Sequence, residues 1–576
     1  MPLSRRPENG LSHVRGDTDS PLLDVTIPKL LADTVARFAP REAVVFRAHG
    51  IRWTWEAFAA EVDRVAAGLL AAGIAPGDRV GIWSPNRPEW LLIQFATARV
   101  GAIMVCLNPA YRAREVEFAL NAAGCRLLVM ARRFRQSDYV AMLEELAPEL
   151  AQAAPGALRA ARLPELRDVV VTGDDPAPAG MRRFSTLQAQ ADRGTLDRVS
   201  AGLTPDDPIN IQFTSGTTGA PKGACLTHRN IVNNAHFTTA TMAFTEADSL
   251  CIPVPFYHCF GMVMGTLGCV TKGARMVIPG EGFDPAETLA AVSEEGCTAL
   301  YGVPTMFVAE LGLPEFADYD LGRLRTGIMA GAPCPIEVMK KVQGRMNMTG
   351  ITIAYGMTET SPVSFQSNMD DPLEQRVSSV GRVHPHVECR IADPEGRTVP
   401  VGTQGELMTR GYSVMQGYWG LPDRTAEAID AEGWMHTGDL AVMDGEGYCR
   451  ITGRLKDMIL RGGENIYPKE LEDVLFAHPA LAQAQVFGIP DDRLGEVVCA
   501  YVVPHPGAAP SEDEIRAFCR AEMAHFKVPL HIRLRESLPM TVTGKPQKFV
   551  MRAELMVELG LTDPGACGAN AAEAGG

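Results

Sequence analysis

From Ile27 to about residue 350 the chain repeats one pattern, a helical stretch followed by a short apolar run that reads as a buried strand. A helix from Ile27 leads into a strand beginning Ala43-Val-Val-Phe46. Glu61 to Leu70 carries apolar residues at helical spacing, and Gly77-Asp78 then turns into Arg79-Val-Gly-Ile-Trp83. The step recurs at Trp90–Val100 into Ala102–Leu107, and at Glu115–Ala123 into Arg126–Met130. Alternation of this kind predicts an α/β fold, a parallel sheet covered by helices on both faces. Strands buried on both sides need an apolar chain, and 46% hydrophobic against 21% charged residues provides one. At 576 residues the chain is long enough for at least two domains.

Departures from the pattern mark the domain plan. Residues 1–26 are polar, with proline and glycine, and read as a mobile lead-in. Residues 151–166 are Ala/Pro-rich and read as a surface excursion, after which a strand resumes at Asp168–Val171. Between about 376 and 452, short strands alternate with glycine turns such as Gly402-Thr-Gln-Gly-Glu and Asp444-Gly-Glu-Gly-Tyr, the texture of a β-rich subdomain. A boundary falls near Gly453-Arg-Leu-Lys-Asp457. Beyond it a compact α+β pattern holds helices at 468–477 and 511–523 and strands at Gln483–Gly488 and Val497–Val503. The plan is a large unit over 27–455, built of stacked α/β subdomains plus the β-rich one. A small unit over 456–562 follows, then a disordered low-complexity tail over 563–576.

A formal net charge of -15 argues against a nucleic acid polymer as partner, because phosphate backbones require a basic face. A single nucleotide is not excluded, since it needs only a few local donors. No run approaches the roughly 18 apolar residues of a membrane span. The opening MPLSRRPENG has arginines with no apolar stretch behind them, so it does not read as a secretory signal. Thirteen cysteines stand singly, which suits reduced thiols in a cytoplasm, with Cys251 and Cys259 as buried small hydrophobes. Oligomeric state is open, and a homodimer is allowed.

The sharpest local signal is Thr214-Ser-Gly-Thr-Thr-Gly-Ala-Pro-Lys-Gly223, after a strand at Ile209–Phe213. Hydroxyls and glycines at Thr214, Ser215, Gly216, Thr217, Thr218 and Gly219 can wrap backbone N–H donors round a polyphosphate, and Lys222 adds a cation. Gly223, not Ser or Thr, follows the lysine, so this is not a Walker A loop.

With Tyr355-Gly-Met-Thr-Glu359, Thr437-Gly-Asp439, Gly453-Arg454 and Thr543-Gly-Lys545 in the same order, the sequence resembles the adenylate-forming superfamily from about residue 27 to about 560. Ile209-Asn-Ile-Gln-Phe, Tyr257-His-Cys and Arg461-Gly-Gly-Glu-Asn-Ile-Tyr-Pro468 are most similar to its medium- and long-chain fatty acyl-CoA synthetases. The resemblance implies an ATP-dependent ligase that makes an acyl-adenylate, releases pyrophosphate and transfers the acyl group to CoA. It places the Tyr355 ring, after which Gly356 follows, against adenine, with Gly331-Ala332-Pro333 along the other face. Thr358 would meet phosphate, Glu359 would hold Mg²⁺ arriving with ATP, and Asp439 and Arg454 would take the ribose or phosphate oxygens. Lys545 would bridge acyl carboxylate and α-phosphate.

His258 lies where relatives carry an aromatic gate to the acyl pocket, and equally suits a hydrogen-bonded wall. Tyr301 to Phe307, Met329, Met357 and Val363 would supply apolar lining. Lys456 occupies the hinge position, about which the small unit would rotate to present Arg461, Gly462 and Gly463 to CoA. The alternative acceptor is a carrier protein on a separate chain, because too few residues follow Lys545 to form one.

Overall fold

The computed structural model describes residues 6–214, 221–332, 334–462, 464–491, 493–541 and 545–561. Two large sheets dominate. The eight-stranded one runs Arg182–Arg183, Asp168–Val171, Cys125–Met130, Arg79–Trp83, Ile103–Cys106, Pro208–Thr214, Lys222–Thr227, Gly417–Tyr418. The nine-stranded one runs Arg382–Val383, Val363–Gln366, Gly350–Gly356, Thr326–Ala330, Ala299–Gly302, Ser249–Cys251, Arg275–Ile278, Glu42–Phe46, Ile51–Thr54. Both are parallel in the middle, as the alternation predicts, and antiparallel at one or both edges.

Side-chain alternation along the strands decides which layer each residue joins. Leu127 and Val129 face the same core as Met104, Val44 and Ile328, between the sheets, together with the helices Trp55–Ala71, Pro88–Arg99 and His228–Thr241. Leu128, Ile103 and Val105 face the opposite way, onto Ala113–Ala123 and Tyr139–Leu146. Leu300, Met329 and Ile351 likewise face outward onto Pro285–Glu295, Pro304–Leu311 and Ile336–Arg345. The result is five layers with one helical layer shared. Pro88–Arg99 sits in that shared layer and has ten of its twelve residues buried, so it is apolar all round rather than striped.

A five-stranded antiparallel sheet forms the β-rich part: His13–Arg15, Val387–Ala392, Gly405–Gly411, Met435–Met443 and Cys449–Arg454. Its first strand lies in the segment expected to be a mobile lead-in. His13–Arg15 pairs with Glu388–Arg390, Val14 is buried, and Leu23 N–H donates to Asn233. The Ala/Pro-rich excursion is likewise tethered, since Leu158, Ala160, Leu163 and Leu166 insert into the outer core beside Leu128. In both stretches a few apolar residues without helical or strand period find cover through tertiary contact.

The small unit begins after Cys449–Arg454 and a 3₁₀ turn at Leu455–Asp457. Its sheet joins Ile459–Arg461, Glu464–Ile466, Gly495–Pro504, Leu481–Asp491 and His531–Leu534. Helices Pro468–Phe476, Glu512–Glu522 and Lys548–Glu558 pack on it, the second capped by Ser511, whose hydroxyl accepts from Glu514 N–H. The tail expected beyond 562 lies outside the described residues.

One buried group runs against the apolar packing. Glu310, on Pro304–Leu311, is 1% exposed, and neither carboxyl oxygen meets a hydrogen-bond partner among the described residues. Burial pushes its pKa well above the usual carboxylate range, so it is held as the neutral acid. A folded pKa above the unfolded value near 4.3 means stability is fullest below about pH 4.3 and falls as pH rises towards the folded pKa. Glu310→Gln is expected to raise the melting temperature at pH 8 by about 1–3 °C, with the gain shrinking towards pH 5. Thermal unfolding of both proteins at the two pH values checks this, and an equal difference at both contradicts it.

Candidate active site

The site forms where strand ends from both sheets converge. Pro208–Thr214 runs parallel to Ile103–Cys106 and turns back as Lys222–Thr227, so the phosphate-type loop leaves the carboxyl end of the parallel strands. Thr214 and Lys222 are cross-strand partners that close this loop, and Lys222 is the first residue of the returning strand. Ser215, Gly216, Thr217, Thr218 and Gly219 lie outside the described residues.

From the nine-stranded sheet, Thr326–Ala330 and Gly350–Gly356 run in parallel register, Ala330 beside Ala354. Gly331 and Ala332 therefore leave one strand beside Tyr355 and Gly356 on the next, while Pro333 lies outside the described residues. A 3₁₀ turn at Thr358–Thr360 follows and buries Thr358 and Glu359. Thr214 Oγ1 donates to Glu359 Oε1 at 3.1 Å, which joins the ends of the two sheets.

Asp439 comes from the third sheet. Gly438-Asp439 lies in a bulge within the long strand Met435–Met443. Two extra residues enter the pairing with Gly405–Gly411 there, and Gly438 takes the left-handed region at φ +68°. Glu406 pins the bulge, its Oε1 accepting from Gly438 N–H at 3.1 Å and its Oε2 lying 2.9 Å from His436 Nδ1. The Asp439 carboxylate is thereby aimed at Tyr355 and Arg454. The Tyr355 hydroxyl donates to Oδ2 at 2.6 Å, and Arg454 Nε lies 2.8 Å from Oδ1. Burial, and then the Asp439 charge, push the Tyr355 phenol well above its usual pKa, so it remains a donor.

Lys545 reaches this cleft from the small unit. Its N–H donates to Thr541 Oγ1 at 2.9 Å and its carbonyl accepts from Thr541 N–H at 2.8 Å. The side chain keeps water-accessible surface in the open cleft, yet protein crowds it on several sides. Lost hydration, and then the Arg454 cation, draw its pKa below the ordinary lysine range, while Asp439 and Glu359 pull the other way.

His258 lies close enough to feel Lys545. Burial first, and then that ammonium, lower its pKa to about 3, and its Nδ1 accepts Phe260 N–H at 3.2 Å. It is a neutral imidazole whose Nε2 carries the proton. Behind it runs a fully buried π-helix, Phe260–Leu267. Tyr301, Val303, Met306, Met357 and Val363 belong to the same apolar layer as Phe260 and Met262. Phe307 and Met329 do not line it. They point to the outer core, because Met329 alternates with Ile328 and Ala330 along its strand.

Among the CoA-face candidates, Arg461 donates to the Phe526 carbonyl at 3.1 Å and Gly462 N–H to the Leu494 carbonyl at 2.7 Å, while Gly463 lies outside the described residues. Lys456 sits exposed in the 3₁₀ turn after Arg454.

Residues 31–419 match the family model for the AMP-binding enzyme, and residues 470–545 match that for the AMP-binding enzyme C-terminal domain. The chain belongs to the AMP-binding enzyme family. Medium-chain acyl-CoA ligase ACSF2, mitochondrial, of Danio rerio is 45% identical over 555 residues, covering 96% of this chain and 91% of the relative. YngI of Bacillus subtilis (strain 168) is 46% identical over 535 residues, covering 92% and 97% respectively. The crystal structure of the anthranilate CoA ligase AuaEII in complex with anthranoyl-AMP superimposes with a TM-score of 0.81 at 25% identity. That superposition covers 94% of this chain and 99% of the other.

Sequence reasoning missed Tyr418, Glu406 and Gln212. Tyr418 donates to Glu359 Oε1 at 2.9 Å, and Gln212 Oε1 accepts from the Cys259 thiol at 3.1 Å. Gly417-Tyr418 reads as one more glycine–aromatic step in a β-rich stretch, and no spacing ties it to residue 359.

The Tyr355 hydroxyl organises Asp439 before any nucleotide arrives. Tyr355→Phe keeps the ring and removes that bond, leaving one oxygen of a buried carboxylate without its donor. The expected cost is about 1–2 kcal/mol, read as a KM for ATP raised roughly 5- to 30-fold with a smaller change in kcat. Steady-state kinetics with ATP varied checks it, and an unchanged KM contradicts it.

Proposed function

We propose that the cleft formed by Lys222, Glu359, Tyr355, Asp439, Arg454 and Lys545 carries out two-step acid activation, with a medium-chain fatty acid as the acid. The chain is an ATP-dependent acyl-CoA ligase of the AMP-forming kind. The observation that carries the residue roles is that Lys545, from the small unit, stands within electrostatic reach of Asp439, Glu359 and Arg454 of the large one.

The chemistry explains why these groups are needed. A carboxylate oxygen attacks the α-phosphorus of ATP, the bond to the β-phosphate bridging oxygen breaks, and pyrophosphate leaves. Anion meets polyanion, so fixed cations must face the charge that develops. In this reading Lys222 and the 214–219 loop hold the β- and γ-phosphates, Thr358 meets a phosphate oxygen, and Lys545 lies between carboxylate and α-phosphate. Tyr355, Gly356 and the Gly331–Pro333 segment enclose adenine, and Asp439 with Arg454 takes the ribose.

Glu359 suits a hard cation. Its Oε1 accepts from Thr214 and Tyr418, and none of the described hydrogen bonds reaches Oε2. Mg²⁺ bound with ATP would neutralise phosphate charge there, held by one carboxylate, phosphate oxygens and water. In the second step the CoA thiolate attacks the acyl carbon and AMP leaves. Arg461, Gly462 and Gly463 would meet CoA once the small unit has turned about Lys456.

The medium-chain assignment follows the Danio rerio relative and the apolar layer around Phe260, Met262 and Tyr301. Neutral His258 forms the wall at its entrance. With an uncharged ring held by Phe260 N–H, it can border an alkyl chain without bringing a charge to it.

Lys545→Ala is expected to slow acid-dependent pyrophosphate exchange roughly 10²- to 10³-fold and to leave thioester formation from supplied acyl-adenylate largely intact. Equal loss of both half-reactions would sink the assignment. Lys456→Pro fixes φ and restricts Leu455 before it, so it should lower acyl transfer to CoA more than pyrophosphate exchange. Measuring both half-reactions and thermal unfolding on that variant is decisive, and a parallel fall in all three removes the hinge role.

A further inference from the structure

The segment 415–419 is stitched to both halves of the phosphate-facing machinery. Gly417-Tyr418 pairs with Cys225 and Ala224 on the strand that begins at Lys222. Gln416 N–H donates to the Cys225 carbonyl at 2.9 Å and Trp419 N–H to the Gly223 carbonyl at 2.8 Å. On the other side, Met415 N–H donates to the Glu359 carbonyl at 2.8 Å. Gly417 makes this course possible. Its φ is +149°, and a Cβ there would lie 2.8 Å from Thr425 Cγ2, while Thr425 Oγ1 accepts Tyr418 N–H at 2.9 Å. The Tyr418 backbone is therefore fixed on every side.

Its side chain is fixed as well, and it meets two opposite charges. The hydroxyl donates to Glu359 Oε1 at 2.9 Å, and the Lys222 ammonium stands over the ring, 4.7 Å from its centroid. Tyr418 is 8% exposed and Glu359 is buried, so their hydrogen bond is shielded from water, while Lys222 is half-buried. Burial, and then the Glu359 charge, raise the phenol's pKa far above neutrality, which keeps the hydroxyl a donor. One side chain thus contacts an ammonium through its ring face and a carboxylate through its hydroxyl.

We propose that Tyr418 is a positioning residue for phosphate handling: its hydroxyl orients Glu359 and its ring face parks Lys222, so carboxylate and ammonium stay preset for MgATP. With Oε1 engaged by Tyr418 and Thr214, Oε2 is the oxygen that would be left for a cation. The inference rests on the roles given above to Lys222 and Glu359. Because acyl transfer to CoA uses neither metal nor pyrophosphate, it should be insensitive to Tyr418.

The test titrates free Mg²⁺ at saturating ATP in the pyrophosphate-exchange reaction of the full chain, with calorimetry of MgATP binding alongside. Tyr418→Phe removes the hydroxyl and keeps the ring, and should raise the Mg²⁺ half-saturation about tenfold with ATP KM at saturating Mg²⁺ changed less than about twofold. Tyr418→Leu also removes the ring and should raise both. For both variants, thioester formation from supplied acyl-adenylate should stay near wild type. An unaltered Mg²⁺ dependence in Tyr418→Phe overturns the proposal, as does parallel loss of both half-reactions with a lowered melting temperature. Glu359→Gln in the same titration separates the two levels. No shift there removes the carboxylate's metal role and ours with it, whereas a shift there without one in Tyr418→Phe overturns the Tyr418 assignment alone.

Discussion

The site depends on one buried carboxylate. Asp439 is 5% exposed, and both of its oxygens are engaged, one by the Tyr355 hydroxyl and one by Arg454. Two parts of the molecule meet there, because Asp439 and Arg454 are cross-strand neighbours in the β-rich sheet and Tyr355 comes from another sheet. Tyr355 ends a strand of the nine-stranded sheet, Asp439 lies in the β-rich sheet, and Arg454 is the last residue before the turn into the small unit. Arg454 is half exposed, so water screens its pairing with Asp439, and the buried side of the carboxylate is held by the Tyr355 hydroxyl, which ties the two sheets to a single charge. The bulge at Gly438 and the grip of Glu406 on it are what aim the carboxylate.

Around that anion the cations are set close together. Lys545 faces Arg454, and His258 is kept neutral partly because Lys545 is nearby. Like charges in a partly dehydrated cleft are unfavourable in the absence of an anion. They become favourable when phosphate and carboxylate enter, and most so where charge accumulates on the reacting centre. The arrangement trades ground-state repulsion for affinity towards the charge distribution of the reaction.

Much of this was legible in the chain, for local reasons. The alternation from Glu61 to Met130 gave strand and helix positions within a few residues, because every element there buries a periodic face. The Thr214–Gly223 stretch and Tyr355–Glu359 announced themselves through residue types that suit phosphate and cation. Most of what escaped is contact between residues far apart in sequence. His13–Arg15 becomes a strand because Glu388–Arg390 offers it an edge. Tyr418 meets Glu359 across 59 positions, and Glu406 meets Gly438 across 32. Met329 has the apolar character of pocket lining, but the strand's two-residue period turns it to the outer layer.

The state of Cys259 bears on which sulfur receives the acyl group. An acyl-adenylate acylates any accessible thiolate, and Cys259 follows His258 in the chain but is fully buried. Its proton is directed to Gln212 Oε1, and burial holds its pKa well above the usual thiol value, as burial raises that of nearby Cys106 to about 12. Both sulfurs remain thiols, and a thiol is a poor nucleophile. A buried sulfur that keeps its proton offers no thiolate to an electrophile. Burial of these two sulfurs thus leaves nucleophilic attack on an activated acyl group to a thiol that comes from outside the fold.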